Sequence, residues 1–104
     1  MLRKRYEILL PTRYNDGTPV EPGKLFQTQE ELVDRFGALT TSPELNRGVW
    51  THAGHRFEDE HLRVIVDVPP ASENQAFFRD FKERLKSRFR QIEIWIVSYD
   101  IEVV

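Results

Sequence analysis

The segment LRVIVDVPPASENQAFFRDFKERLKSRF, residues 62–89, changes from one hydrophobic period to another at its two prolines. Before Pro69, apolar and polar residues alternate, which is typical of a strand with one buried face. After Pro70, four apolar residues recur every three or four positions and form one helical stripe: Phe78, Phe81, Leu85 and Phe89. The segment therefore predicts a half-buried strand followed by an amphipathic helix, with Ser72 as its N-cap and Gln75 as the capping-box partner.

Three further elements precede this segment. RYEILLPT, residues 5–12, predicts a first strand, and the Gly- and Pro-rich residues 13–24 predict a surface loop. TQEELVDRFG, residues 28–37, predicts a helix with Thr28 as N-cap, Glu31 as its capping-box partner and the final glycine as the left-handed C-terminal residue.

A long hairpin and a last strand complete the pattern. Residues 38–68 predict two strands that turn at Ala53-Gly54. Pro43 and Gly48 predict an irregularity in the first arm, because neither residue favours a regular strand interior. QIEIWIVSYDIEVV, residues 91–104, predicts one long final strand.

The resulting order is strand, helix, strand, strand, helix, strand. This order is the split βαβ arrangement of a ferredoxin-like α+β fold, in which two helices cover one face of a four-stranded antiparallel sheet. At 104 residues the chain has room for one modest core. We therefore expect a single ferredoxin-like domain over residues 1–104.

The composition excludes several classes of function. Fifteen Lys and Arg against seventeen Asp and Glu give a formal charge of -2, so no overall field favours nucleic acid or an anionic membrane. The absence of cysteine excludes disulfides, thiolate nucleophiles and zinc-thiolate sites. The only apolar run near the start, residues 8–10, is far too short for a signal peptide, and no segment approaches a membrane span. We expect a soluble cytoplasmic protein without a cofactor.

The last strand predicts an unusual sheet. Ile92, Ile94 and Ile96 alternate with residues of the other face, and we expect these three isoleucines to face the helices. The opposite face would then be apolar and aromatic, although the helix-free face of such a sheet is normally polar. Trp50 and Phe57, opposed across the hairpin, would extend it.

An apolar patch of this kind is typical of an interaction surface. We expect a homodimer that packs sheet against sheet through six residues: Trp95, Val97, Tyr99, Ile101, Trp50 and Phe57. Two alternatives remain open: the 13–24 loop or the hairpin arm covers the patch within one chain, or a different protein binds it.

All three histidines lie in VWTHAGHRFEDEH, residues 49–61. His52 and His55 should face each other across the turn with their Cβ atoms about 5 Å apart, whereas His61 should lie about 20 Å farther along the strand. Zinc sites use three or four protein ligands, and the acids at 58–60 should lie among exposed polar residues. We predict a solvated hairpin tip without a metal. The alternative is a small-molecule or enzyme site between the 13–24 loop and the hairpin, using one of these histidines and an acid.

The sequence gives little support for nucleophilic catalysis or for phosphate binding. The serines lack a nucleophile-elbow context, and no phosphate-binding loop is present, so no catalytic residue is assigned. Five basic residues could meet at one end of the sheet and bind phosphate: Arg3, Lys4, Arg5, Arg88 and Arg90. RNA-binding domains of this topology, however, place stacking aromatics on their central strands, and LRVIVDV has none. We do not expect nucleic acid as a partner.

The sequence contains three short motifs that point to a known family: RFGALT at 35–40, GVW at 48–50 and SRFRQ at 87–91. They resemble the RF-x-GLT, G-x-W and RF-x-Q motifs of a family of small bacterial ferredoxin-like domains of unknown function. The chain differs from that family in having Ala38 where a glycine is expected and in lacking its export signal and cysteine. The resemblance implies the fold over most of the chain and implies no particular activity.

Overall fold

The computed structural model describes residues 1–42 and 45–104 with their side chains, and residues 43–44 as part of a strand. Its elements are β1 (Leu2–Pro11), α1 (Pro22–Phe36), β2 (Thr40–His52), β3 (His55–Val68), α2 (Ser72–Arg88) and β4 (Ile96–Glu102). The strands form one antiparallel sheet in the order β2-β3-β1-β4. The predicted ferredoxin-like α+β fold is confirmed.

The core lies between the two helices and one face of the sheet. Along β1 and β3 the even-numbered residues face the helices, and the cross-strand pairs Tyr6–Val66 and Ile8–Val64 are buried. The predicted stripe of α2 is confirmed, because all four of its members are buried: Phe78, Phe81, Leu85 and Phe89. The ring of Phe78 stacks on that of Tyr6 with their centroids 3.8 Å apart.

Both helices begin differently from the prediction. α1 starts at Pro22, which suits the first helical position because its fixed φ is helical and its missing N–H is not needed there. Thr28 therefore lies inside the helix, where its hydroxyl donates to the Lys24 carbonyl at 2.8 Å, and it is not an N-cap. In α2 the N-cap position belongs to Ala71 and Ser72 is already helical, so the predicted capping box is also wrong.

The last strand is shorter than predicted and begins at Ile96. The chain reverses after α2 at Arg90, which has a left-handed φ of 54°, and the Gln91 amide donates to the Lys86 carbonyl at 2.9 Å. This reversal turns Ile94 into the core but leaves Ile92 exposed. The prediction that the three isoleucines face the helices is therefore right for Ile94 and Ile96 and wrong for Ile92.

The hairpin follows the predicted register. His52 pairs with His55 across a turn in which Ala53 and Gly54 both have positive φ, 50° and 78°, as a two-residue type I′ turn requires. The pairing shifts between Thr41 and Leu45, within the predicted irregular arm, whereas Gly48 pairs regularly with Asp59. The side chain of Pro43 lies outside the described part of the structure, so its predicted role in the irregularity stays a prediction. Because β1 ends opposite His61, the outer hairpin is a two-stranded arm.

The packing of Phe81 gives a test of the core. We expect Phe81→Ala to lower the free energy of unfolding by about 3–5 kcal/mol, because the substitution empties a fully buried site. Phe26→Ala is the matched control, since Phe26 is exposed on α1, and should change stability by less than about 0.5 kcal/mol. Urea unfolding of the three proteins measures both values, and equal losses in the two variants would contradict this core.

Candidate functional site

The helix-free face of the sheet carries the odd-numbered residues of β1 and β3. Two cross-strand ion pairs occupy its middle: Arg5 donates to both oxygens of Asp67, at 2.8 and 3.0 Å, and Arg63 donates to Glu7. Each pair raises the pKa of its arginine, mainly through the side-chain hydrogen bond to the carboxylate. These four charges in the middle of the face are therefore matched within the chain.

Four of the five basic residues that could bind phosphate have partners within the chain. Besides Arg5, Lys4 lies 3.2 Å from Asp100, Arg88 binds Glu31 at 2.8 Å, and Arg90 packs over a tyrosine ring. These contacts neutralise or cover the positive charges on which phosphate binding would depend.

Beside the ion pairs runs an apolar strip made of Trp95, Val97, Tyr99 and Ile101. Val97, Tyr99 and Ile101 pair with odd-numbered residues of β1 and so lie on the helix-free face, as predicted. Trp95 is 60% exposed and Tyr99 is 41% exposed, whereas the two aliphatic residues are half-buried. The alternative in which the loop or the hairpin covers the patch is therefore wrong at both aromatic residues.

The remaining predicted patch residues, Trp50 and Phe57, lie on the hairpin arm. They are directly opposed, and their rings stack with centroids 4.5 Å apart and planes at 19°. The indole N–H of Trp50 donates to the carboxylate of Asp59. This bond holds the indole in one orientation, and it places the carboxylate of Asp59 beside the stacked rings.

Between the hairpin arm and residues 91–95 lies a cavity of about 320 Å³, called here the hairpin pocket. The hairpin supplies Gly48, Val49, Trp50, Asp59 and His61, and the rest of the wall consists of Leu9, Pro11, Gln91, Glu93, Ile94 and Trp95. The side chain of Asp59 is only 18% exposed. The prediction that the acids at 58–60 lie among exposed polar residues is therefore wrong for Asp59.

Of the titratable side chains that line this pocket, that of His61 is the least exposed. Its side chain is 15% exposed, its Nε2 lies 3.8 Å from Oδ2 of Asp59, and its Nδ1 is buried without a hydrogen-bond partner among the described side chains. Gly48 lies against the imidazole, since a Cβ there would come within 3.4 Å of Cε1. Burial lowers the pKa of His61, although the charge of Asp59 opposes that shift, so the imidazole is neutral at pH 7.

The three histidines are thus in different environments. His52 and His55 are exposed and opposed at the tip, as the solvated-tip prediction states, whereas that prediction is wrong for His61. Across residues 1–42 and 45–104, no group of three or more His, Asp or Glu side chains is arranged to hold a metal ion. Within the same residues, no helix is long and apolar enough to cross a membrane.

The predicted cleft between the 13–24 loop and the hairpin also exists, with a volume of about 560 Å³. Its lining includes charged residues of both signs, Arg13, Arg47, Glu58 and Glu60, with Tyr14 at the loop side. Acidic side chains line this cleft as predicted, but none of the three histidines does; His61 lines the hairpin pocket instead.

Comparisons with solved structures agree with this fold. A phage SAM lyase in complex with S-methyl-5'-thioadenosine is similar with a TM-score of 0.70 at 13% identity, covering 97% of this chain and 90% of that chain. The divalent cation tolerance protein Cut A1 from Thermus thermophilus is similar with a TM-score of 0.63 at 18% identity, covering 100% of this chain and 87% of that chain. At such identities the likeness establishes the ferredoxin-like fold alone. No protein-family model and no curated protein sequence matches the chain.

The burial of His61 predicts a pH dependence of stability. The unfolded chain takes up a proton on this histidine near pH 6.5, whereas the folded protein resists protonation until a lower pH. Stability rises with pH wherever the unfolded state binds more protons, so the free energy of unfolding should fall as the pH drops below about 6.5.

Urea unfolding at about pH 7.5 and about pH 5.5 measures this effect. His61→Gln should lose less stability between the two values than the wild type, because the titrating group is gone. His52→Gln is the matched control at an exposed histidine and should behave like the wild type. If His61→Gln loses as much stability as the wild type, the burial of His61 is not what makes folding sensitive to pH.

Proposed function

We propose that this protein is a homodimeric binding module whose subunits pack through the helix-free face of the sheet. The observation that carries the proposal is the exposure of Trp95 and Tyr99 on the apolar strip of an edge strand. Exposed apolar patches on soluble proteins mark interaction sites when they are contiguous.

The charges of the face favour a second copy as the partner. Arg5 and Arg63 are already paired with Asp67 and Glu7 in the same chain. A symmetric partner would therefore bring strip against strip without leaving any of these four charges unmatched between the subunits. A partner of opposite charge, by contrast, would find no free charge among these four residues.

Sedimentation velocity between about 1 and 100 µM tests the proposal. The wild type should sediment as a dimer, and Trp95→Glu should weaken self-association at least about tenfold, because it places a carboxylate in an apolar contact. Phe26→Glu is the matched control at an exposed aromatic residue on α1. A monomeric wild type, or a Trp95→Glu variant of unchanged mass, would overturn the proposed interface.

A second candidate function is the binding of a small molecule in the hairpin pocket. It is favoured by the volume of the cavity, about 320 Å³, which is within the range of small-molecule sites, and by the presence in its lining of His61, whose buried Nδ1 has no partner among the described residues. The phage SAM lyase was solved with S-methyl-5'-thioadenosine, and this fold-level likeness supports a nucleoside as a first probe.

Intrinsic fluorescence can test this second function, because the only two tryptophans of the sequence, Trp50 and Trp95, both line the pocket. We expect S-methyl-5'-thioadenosine to change the emission saturably and Gly48→Leu, which adds a side chain against His61, to abolish the change. His52→Leu, at the exposed tip, should leave it intact. An equal response from wild type and Gly48→Leu would place the nucleoside elsewhere.

Membership of the small bacterial domain family suggested by RFGALT, GVW and SRFRQ stays a proposal. The cytoplasmic location expected from the sequence likewise stays a prediction, which fractionation of the producing cells would check.

A further inference from the structure

The charged groups that line the hairpin pocket are acidic. Asp59 and Glu93 contribute carboxylates, and within the described part of the chain no Lys or Arg belongs to the lining. Glu93 is already bound by Lys82 at 2.8 Å and by the Ile94 amide at 3.0 Å, contacts that lower its pKa. Asp59, by contrast, has no Lys or Arg partner in residues 1–42 and 45–104. It is therefore the carboxylate left to meet a cation.

Asp59 and His61 both have acceptor capacity left. A carboxylate offers about four lone-pair positions, and the indole of Trp50 uses one of those on Asp59. Because Nε2 of His61 faces Oδ2 of Asp59, the tautomer with its proton on Nε2 is favoured, and Nδ1 is then an acceptor. The pocket therefore offers acceptors to a ligand that carries hydrogen-bond donors.

Two tryptophans contribute aromatic surface to the pocket. The Trp50 indole is held by its stacking on Phe57 and by its bond to Asp59, so it is a rigid wall. The exposed indole of Trp95 lines the pocket from residues 91–95, and Leu9 and Pro11 supply apolar contacts from β1. Aromatic walls attract cations as well as flat rings. A cavity of about 150 Å³ holds benzene, so this one has room for a ring with polar substituents.

We propose that the hairpin pocket binds a planar cation that carries N–H donors, such as an amidinium or a protonated amino-substituted heteroaromatic ring, with Asp59 as the hydrogen-bond acceptor and the two tryptophans as walls. This inference rests on the second function proposed above and specifies the class of ligand. It does not require self-association, and the ligand can be added to the protein in whichever oligomeric state it has.

Three probes of one shape separate charge from shape: benzamidine is a planar amidinium, benzamide is its neutral analogue and benzoate is a planar anion. We expect benzamidine to change the tryptophan emission saturably with a Kd of about 1 mM or tighter, given its nine heavy atoms. Benzamide should bind at least about tenfold more weakly, and benzoate should give no saturable change.

Asp59→Asn should weaken benzamidine binding at least about tenfold, while its amide oxygen still accepts from Trp50. Glu58→Gln is the matched control, because it removes one exposed carboxylate next along β3. Calorimetric titration of the same proteins gives a second readout that does not depend on fluorescence.

The outcomes are distinct. Benzoate binding as tightly as benzamidine, or benzamidine binding unchanged in Asp59→Asn, would overturn the proposed ligand class. Saturable binding of S-methyl-5'-thioadenosine without any benzamidine binding at several mM would refute the planar cation and leave the pocket standing. Failure of all four probes would count against both the ligand class and the small-molecule function.

Discussion

The pairing of β1 with β3 on one side and β4 on the other fixes where the side chains of the sheet point. Because side chains alternate along a strand, burying Tyr6, Ile8 and Leu10 under the helices places every odd-numbered residue of β1 on the helix-free face. A shift of one residue would exchange the two sets and expose the core. Packing of the helices therefore determines the composition of the surface opposite them.

The hairpin pocket depends on the same alternation. In the arm, Trp50 and Phe57 form a cross-strand pair, and Asp59 and His61 follow Phe57 at intervals of two residues, so all four share one face. Gly48 opposes Asp59 and leaves room for the imidazole of His61. The remaining wall comes from residues 91–95, which follow the left-handed Arg90 and bring Trp95 to the pocket. The pocket is thus formed between the regular β2–β3 strand pair and the chain reversal at Arg90.

The sequence predicts those parts of the molecule that depend on periodicity or on turn chemistry. Alternation in LRVIVDV, the stripe of α2 and the turn at Ala53-Gly54 are all local signals, and the structure agrees with each. The start of α1 was missed because Pro22-Gly23 is typical of a turn while Thr28 has the chemistry of a cap. Tertiary packing decides between those two interpretations, because Thr28 is fully buried and accepts from Arg88 at 2.8 Å.

The site was predicted only in part. The apolar strip follows from alternation in the last strand. The shared face of Trp50, Asp59 and His61 follows from the hairpin register. The run of acids at 58–60, however, has the composition of a solvated face and so predicts exposure for all of its members. The second wall of the pocket could not be predicted, since it depends on the backbone conformation at Arg90. A residue such as Arg90 adopts that conformation because of the surrounding contacts and has no strong local preference for it.

Trp95 belongs to the apolar strip and also lines the hairpin pocket. A molecule that fixes its indole in one orientation changes the surface offered to a neighbouring subunit, and a subunit that covers the indole changes the mouth of the pocket. Thermodynamic linkage makes such an effect reciprocal. If a bound ligand strengthens the association of two subunits by some free energy, association strengthens ligand binding by the same free energy. In the proposed dimer, this one exposed side chain would make ligand affinity depend on the concentration of the protein.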